Sequence, residues 1–251
     1  MPRVKSRVAP LPRRLGAELL GTGLLVTVVV GSGIAAASLS SDDVGLQLLE
    51  NSTATVFGLA VLILILGPVS GGHFNPVVSA VDWLLGRRHG TGLSGTEVVA
   101  YSGAQIVGGV LGAVLANVMF DLPAAQLSTK DRVSVGHGIG EVVATAGLVL
   151  LIFALARTGR AALSAAAVGA YIGAAYWFTS STSFANPAVT IGRIFSDTFA
   201  GIAPGSAPLF IAAQLVGGAV GLGLVLLLYP DAPQVADRVV VPHETPTTKE
   251  N

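Results

Sequence analysis

Two asparagine–proline pairs are the residues of this sequence best suited to chemistry: Asn75-Pro76 in "HFNPVVSAV" and Asn186-Pro187 in "SFANPAVTIGR". Asparagine is a favoured N-cap, because its side-chain oxygen accepts a backbone N–H from the first turn. Proline suits the first helical position, where its missing N–H has no partner to lose. Each pair therefore starts a helix abruptly and leaves an amide NH2 pointing away from it, at the positive end of the helix dipole. Two carboxylates, Glu18 in "AELLGTGLLV" and Glu141 in "GEVVATAGLVL", lie inside apolar runs. By location they suggest a proton relay or an ion site. Their matched placement favours bracing, in which each accepts hydrogen bonds from irregular backbone leading into a helix start. The four histidines (73, 89, 137 and 243) fall in no metal-ligand spacing. With no cysteine, disulfides, thiolate metal sites and thiol nucleophiles are excluded. No Ser-His-Asp arrangement is visible, so neither an enzyme nor a cofactor is expected.

The elements that must position these groups are set by composition. The chain is 52% hydrophobic and only 11% charged, against about 25% charge in a soluble domain, and its mean hydropathy is +0.73. It reads as an integral membrane protein. Zero net charge, with no basic block beyond the N-terminus, argues against nucleic acid. Six stretches reach the roughly 20 apolar residues that a bilayer requires: about 15–37, 50–69, 97–120, 138–156, 162–180 and 206–229. Two apolar pieces, about 75–86 and 186–196, are too short to cross. Such re-entrant segments persist at membrane depth only when buried in protein or lining a wet cavity. The N-terminal arm, 1–14, has the order of a secretory signal, but its apolar run is long and five more follow. Arg3, Lys5, Arg7, Arg13 and Arg14 in that arm, Arg87 and Arg88, and Arg157 and Arg160 all fall on one side of the alternating connections. Positive residues stay inside, which places both termini in the cytoplasm. Residues 230–251 are polar and proline-bearing, a flexible tail by composition.

The body, 15–229, is duplicated. "AQIVGGVLGAVL" at 104–115 matches "AQLVGGAVGLGL" at 213–224, an offset of 109, and the Asn-Pro pairs are offset by 111. Each half, about 15–120 and 137–229, contains three spans and one short re-entrant piece. Three is odd, so the halves run in opposite directions through the membrane, an all-α inverted 3+3 repeat of the kind found in transporters and channels. The two caps then meet near mid-depth from opposite sides, each with its positive dipole end. Water or a small neutral solute can accept their hydrogen bonds in passing, whereas protons and cations face a barrier. An ion-coupled secondary transporter also fits an inverted repeat, but would want ionisable residues facing the path.

These motifs resemble the aquaporin/glycerol-facilitator family: "SGGHFNPVVS", "STSFANPAVT", the paired Glu18 and Glu141, and the "AQ" of spans three and six, over about 15–229. The resemblance implies six spans plus two half-helices, one pore per subunit, a homotetramer in a bilayer, and passive conduction of water or small neutral solutes. The first motif is Asn75-Pro76-Val77, against Asn186-Pro187-Ala188 in the second, so a valine stands where alanine is usual. In most of the family an arginine follows the second motif as one wall of the selectivity filter; here that position is Val189. Family spacing gives Ser183 as the loop position, Ala174 on the fifth span, and Thr55 on the second, with a two-residue shift to Phe57 as the alternative register. That ring is small and Arg-less, which implies a wider aperture and loss of strict water selectivity. The combination, with "SDTFAGI" at 196–202, is similar to a bacterial branch associated with arsenic resistance. It implies glycerol-like polyols and metalloid acids such as arsenous acid, and methylated arsenicals, as solutes across a bacterial inner membrane. Arg193, four residues past Val189, shares its helix face and either stands in for the missing arginine in the outer vestibule or snorkels to water. His73 either bonds within its loop on the cytoplasmic pore side or gates by pH. Gln105 and Gln214 fit as partners of polar loop groups between helices.

Overall fold

A computed structural model describes residues 9–230. In chain order its helices are α1 Leu11–Leu39, α2 Val44–Ser70, α3 Pro76–Gly86, α4 Gly95–Met119, α5 Val135–Arg157, α6 Ser164–Phe178, α7 Pro187–Gly192 and α8 Ala207–Leu228. Short 3-10 turns, Ala161–Leu163 and Arg193–Phe195, lead into α6 and extend α7. There is no strand among the described residues. Six helical segments, all but α3 and α7 and with α6 counted from its leading turn at Ala161, are long and apolar enough to cross a membrane. Their outer faces carry Phe57, Leu64, Ile65 and Leu227, all exposed. Exposed apolar side chains of this number mark a membrane or protein contact rather than water.

Local chemistry sets the ends. Asp43 accepts the amide of Leu46 at 2.9 Å and opens α2. Ser94 and Glu97 form a reciprocal capping box at the start of α4. Two boundaries differ from those read from the sequence. Helix α1 begins at Leu11 and so takes in Arg13 and Arg14 at its first turn. Arg14 is buried there, with Nη1 2.6 Å from Glu97 Oε1 and Nε donating to the Tyr101 hydroxyl at 2.8 Å. Helix α2 begins at Val44 and takes in Glu50, which accepts from Ser40 Oγ at 2.8 Å. The rest of the arm, 1–8, and the tail from 231 lie outside the described residues.

Packing repeats the duplication. Helix α1 lies against α2 and α4, and α5 lies against α6 and α8. Each half-helix also packs on the last long helix of the other half, α3 on α8 and α7 on α4. The α1–α4 and α5–α8 crossings are close because a Cβ on Gly108 would run into the Leu19 carbonyl, and one on Gly217 into that of Val142.

Candidate functional site

Helix α3 starts at Pro76 and α7 at Pro187. Asn75 Oδ1 accepts from the Val77 amide at 2.9 Å; Asn186 Oδ1 accepts from Ala188 at 3.0 Å and Val189 at 3.3 Å. The two side-chain amides then cross. Asn75 Nδ2 donates to the Ala185 carbonyl at 2.7 Å, and Asn186 Nδ2 to the Phe74 carbonyl at 2.7 Å. Phe74 and Ala185 present those carbonyls from left-handed backbone, φ 47° and 49°. For residues with a Cβ this costs on the order of 1–3 kcal/mol each, so something must hold it. Glu18 is one clamp: it accepts from Ser70 Oγ at 2.6 Å, His73 N at 3.0 Å, Phe74 N at 2.7 Å and Gln105 Nε2 at 2.7 Å. Glu141 is the other, accepting from Ser181 Oγ at 2.7 Å, Phe184 N and Ala185 N at 2.8 Å, and Gln214 Nε2 at 2.6 Å. Both carboxylates are fully buried, each engaged by four donors around its own half-helix loop.

One cavity is lined by both caps. Its walls include His73, Asn75, Ser183 and Asn186, with an aliphatic lining from Leu25, Val29, Leu59, Ile63, Leu148, Ile152, Val168 and Ile172. Of the expected filter positions, Thr55, Ser183 and Val189 line it. Phe57 does not: it is 66% exposed, whereas Thr55 is buried. Two residues on a helix are about 200° apart, so only one of that pair can face inward. Ala174 is also exposed and lines no part of the cavity. The inward stripe of α6 is Val168, Ile172 and Tyr176, at four-residue spacing. Tyr176 lines the cavity from α6, its hydroxyl 3.2 Å from Thr55 Oγ1. Thr55, Tyr176, Ser183 and Val189 thus share the lining of one cavity, with Tyr176 where Ala174 was expected.

Arg193 does not snorkel. It is 3% exposed and lines the cavity, with Nε donating to the Ala200 carbonyl and its guanidinium carbon 3.4 Å from the centre of the Phe184 ring. Arg132 lies 5.2 Å from the same ring. Its Nε donates to the Gly201 carbonyl at 2.8 Å and an Nη to that of Phe199 at 3.3 Å. Lys130 Nζ shares the Phe199 carbonyl at 2.8 Å. Three successive carbonyls of "SDTFAGI" thus serve three cations, a function no spacing argument reveals. Gly201 is required there, since a Cβ would meet both Ser128 Oγ and the Ser196 carbonyl. Burial, then the neighbouring arginines, pushes the Lys130 amine down to about 8. Helix α6 is apolar all round, so nothing in its sequence singles out Tyr176; Phe184 and Arg132 come from loops, and their approach to Arg193 gave no signal.

His73 lies against the Tyr101 ring, centres 5.6 Å apart, with Nδ1 3.0 Å from Ser79 Oγ on α3. Val77 is buried and packs on Gly218, which leaves room for its extra methyl groups. No cluster of metal-ligating side chains occurs among the described residues.

The sequence model of one family, major intrinsic protein, matches residues 5–183. Aquaglyceroporin AqpS of Rhizobium meliloti is 50% identical over 224 residues, covering 89% of this chain and 93% of that protein. Aquaporin Z of Photorhabdus laumondii is 31% identical over 243 residues, covering 87% and 98%. Among solved structures, the aquaglyceroporin from Plasmodium falciparum superposes with a TM-score of 0.63 at 20% identity, over 89% of this chain and 99% of that one.

Proposed function

The chain belongs to the major intrinsic protein family of membrane channels, and on that premise we propose that it is a passive pore for small uncharged solutes. Water, glycerol-like polyols and metalloid acids such as arsenous acid, including methylated arsenicals, are the proposed solutes. The observation that carries this reading is the crossed pair of caps: each Asn amide donates once across the pseudo-symmetric centre, and its second N–H is left for a solute in the cavity. A neutral solute exchanges water's hydrogen bonds for these, whereas a cation meets two positive helix ends.

Selectivity follows from the cross-section beside Val189. Hydroxyls of Thr55, Tyr176 and Ser183 lie in one cavity with the apolar side chain of Val189. A polyol has the same two-sidedness, hydroxyls on a carbon spine, and arsenous acid presents three hydroxyls on one centre. Valine, unlike arginine, adds no donor at its own position. Ion-coupled transport is disfavoured because Glu18 and Glu141 are each engaged by four donors. The pore is placed in a bacterial inner membrane as a homotetramer, with both termini cytoplasmic.

Proteoliposome flux of water, glycerol and arsenous acid through the wild type and Val189→Arg tests the reading. Placing a guanidinium at 189 is expected to cut glycerol and arsenous acid flux about tenfold or more, the cost of obstructing a tight passage by about 1.4 kcal/mol, and to reduce water flux much less. Unchanged glycerol and arsenous acid flux would remove Val189 from the filter.

A further inference from the structure

We propose that Arg193 is the filter guanidinium of this channel, supplied from one turn beyond the position that Val189 occupies, and that with Ser183 it forms a binding step for neutral solutes carrying adjacent hydroxyls. The inference rests on the channel reading and adds a site to it. Arg193 is nearly fully buried, yet the only side-chain hydrogen bond it makes among the described residues is Nε to the Ala200 carbonyl. Its terminal nitrogens are therefore uncommitted, in a side chain that lines the cavity. Ser183 Oγ is the second such group, buried, cavity-lining and without a partner. The other two hydroxyls of the ring, those of Thr55 and Tyr176, are engaged with each other. Hydrogen-bonding capacity in the filter thus collects on Ser183 and Arg193, and a buried donor without a partner gains most from one delivered by a solute.

The guanidinium is held rigidly. Its carbon lies over the Phe184 ring, itself in a loop pinned by Glu141, and the Ala200 carbonyl fixes Nε. The segment bearing that carbonyl is tied down in turn: Ser196 Oγ donates to Asn117 Oδ1 at 2.7 Å, and Ala203 N to the Lys130 carbonyl at 2.8 Å. The Arg14–Glu97 salt bridge lies at the other end of α1 and α4. No carboxylate among the described residues pairs with Arg193, so its charge faces the path and bars cations, while the apolar Val189 keeps the aperture open.

Tracer sodium uptake, glycerol uptake and osmotic water flux in proteoliposomes test this together. Arg193→Ala, with Arg193→Gln as a second charge-removing variant, is expected to raise sodium uptake about tenfold or more, as the loss of one charge at an effective dielectric near 20 implies. Both should also lower the ratio of glycerol to water flux. Ser183→Ala should lower that ratio and leave sodium excluded. The double variant Val189→Arg with Arg193→Ala should restore sodium exclusion by returning a guanidinium to the filter. Arg193→Ala and Arg193→Gln that remain sodium-tight with an unchanged flux ratio would overturn the proposal. A wild type that passes neither water nor glycerol above empty liposomes would instead overturn the channel reading.

Discussion

Lys130, Arg132 and Arg193 draw on the carbonyls of Phe199, Ala200 and Gly201, and their mutual repulsion is measurable at the member outside the spans. Desolvation, followed by the charges of Arg132 and Arg193, lowers the Lys130 amine from its ordinary value to about 8. Because the folded state releases this proton earlier than the unfolded chain, the group's contribution to stability rises with pH from about 8 until the unfolded lysine has also titrated. The chain has three lysines, and the other two, Lys5 and Lys249, lie near the termini. Isotope-labelled dimethyl-lysine NMR should therefore resolve one resonance titrating near pH 8. Arg132→Ala should move it upward, and a Lys130 that titrates as an ordinary lysine in both proteins would contradict the shared cradle.

Between elements, the contact that accommodates the unusual first motif is Val77 of α3 against Gly218 of α8. A Cβ added at Gly218 would come 2.5 Å from Val77 Cγ1, closer than packed side chains tolerate. Gly218→Ala alone is expected to destabilise the fold by about 1–3 kcal/mol, the usual cost of overpacking. Adding Val77→Ala should recover most of that loss, because it removes the opposing methyl groups. The thermal unfolding midpoint of the two single variants and the double variant in detergent gives the coupling. Additive losses would mean that α3 and α8 do not meet through this pair. The element scale also explains how a strained loop persists: four donors on each of Glu18 and Glu141 outweigh the left-handed backbone at Phe74 and Ala185.

At the scale of the whole molecule, six crossings return the chain to the side on which it began, and the cavity passes between the two halves. The absence of cysteine makes orientation simple to read. His89 and Ala125 are exposed in connections on opposite faces, so His89→Cys and Ala125→Cys each introduce one thiol. A membrane-impermeant maleimide added to intact cells should label Ala125→Cys and reach His89→Cys only after permeabilisation. The reverse pattern would invert the proposed orientation and place the Arg193 end of the pore in the cytoplasm.

What the sequence determined by itself was everything written in a few consecutive residues. Hydropathy delivered six spans, Asn-Pro delivered the two half-helix starts, and the paired glutamates and offsets near 110 delivered the duplication. The tertiary structure decided which side of each span faces the path. It turned Ala174 outward and Tyr176 inward, buried Arg193, and brought to it Phe184 from the loop before α7 and Arg132 from a distant one. The physical reason lies in the solvent. Lipid is as apolar as a protein core, so a spanning helix can be apolar all round, and its sequence then lacks the polar face that would mark the outward side. Loop carbonyls leave no mark in side-chain chemistry either, which is why "SDTFAGI" was visible as a pattern but its role as a cradle for three cations emerged only once the chain was folded.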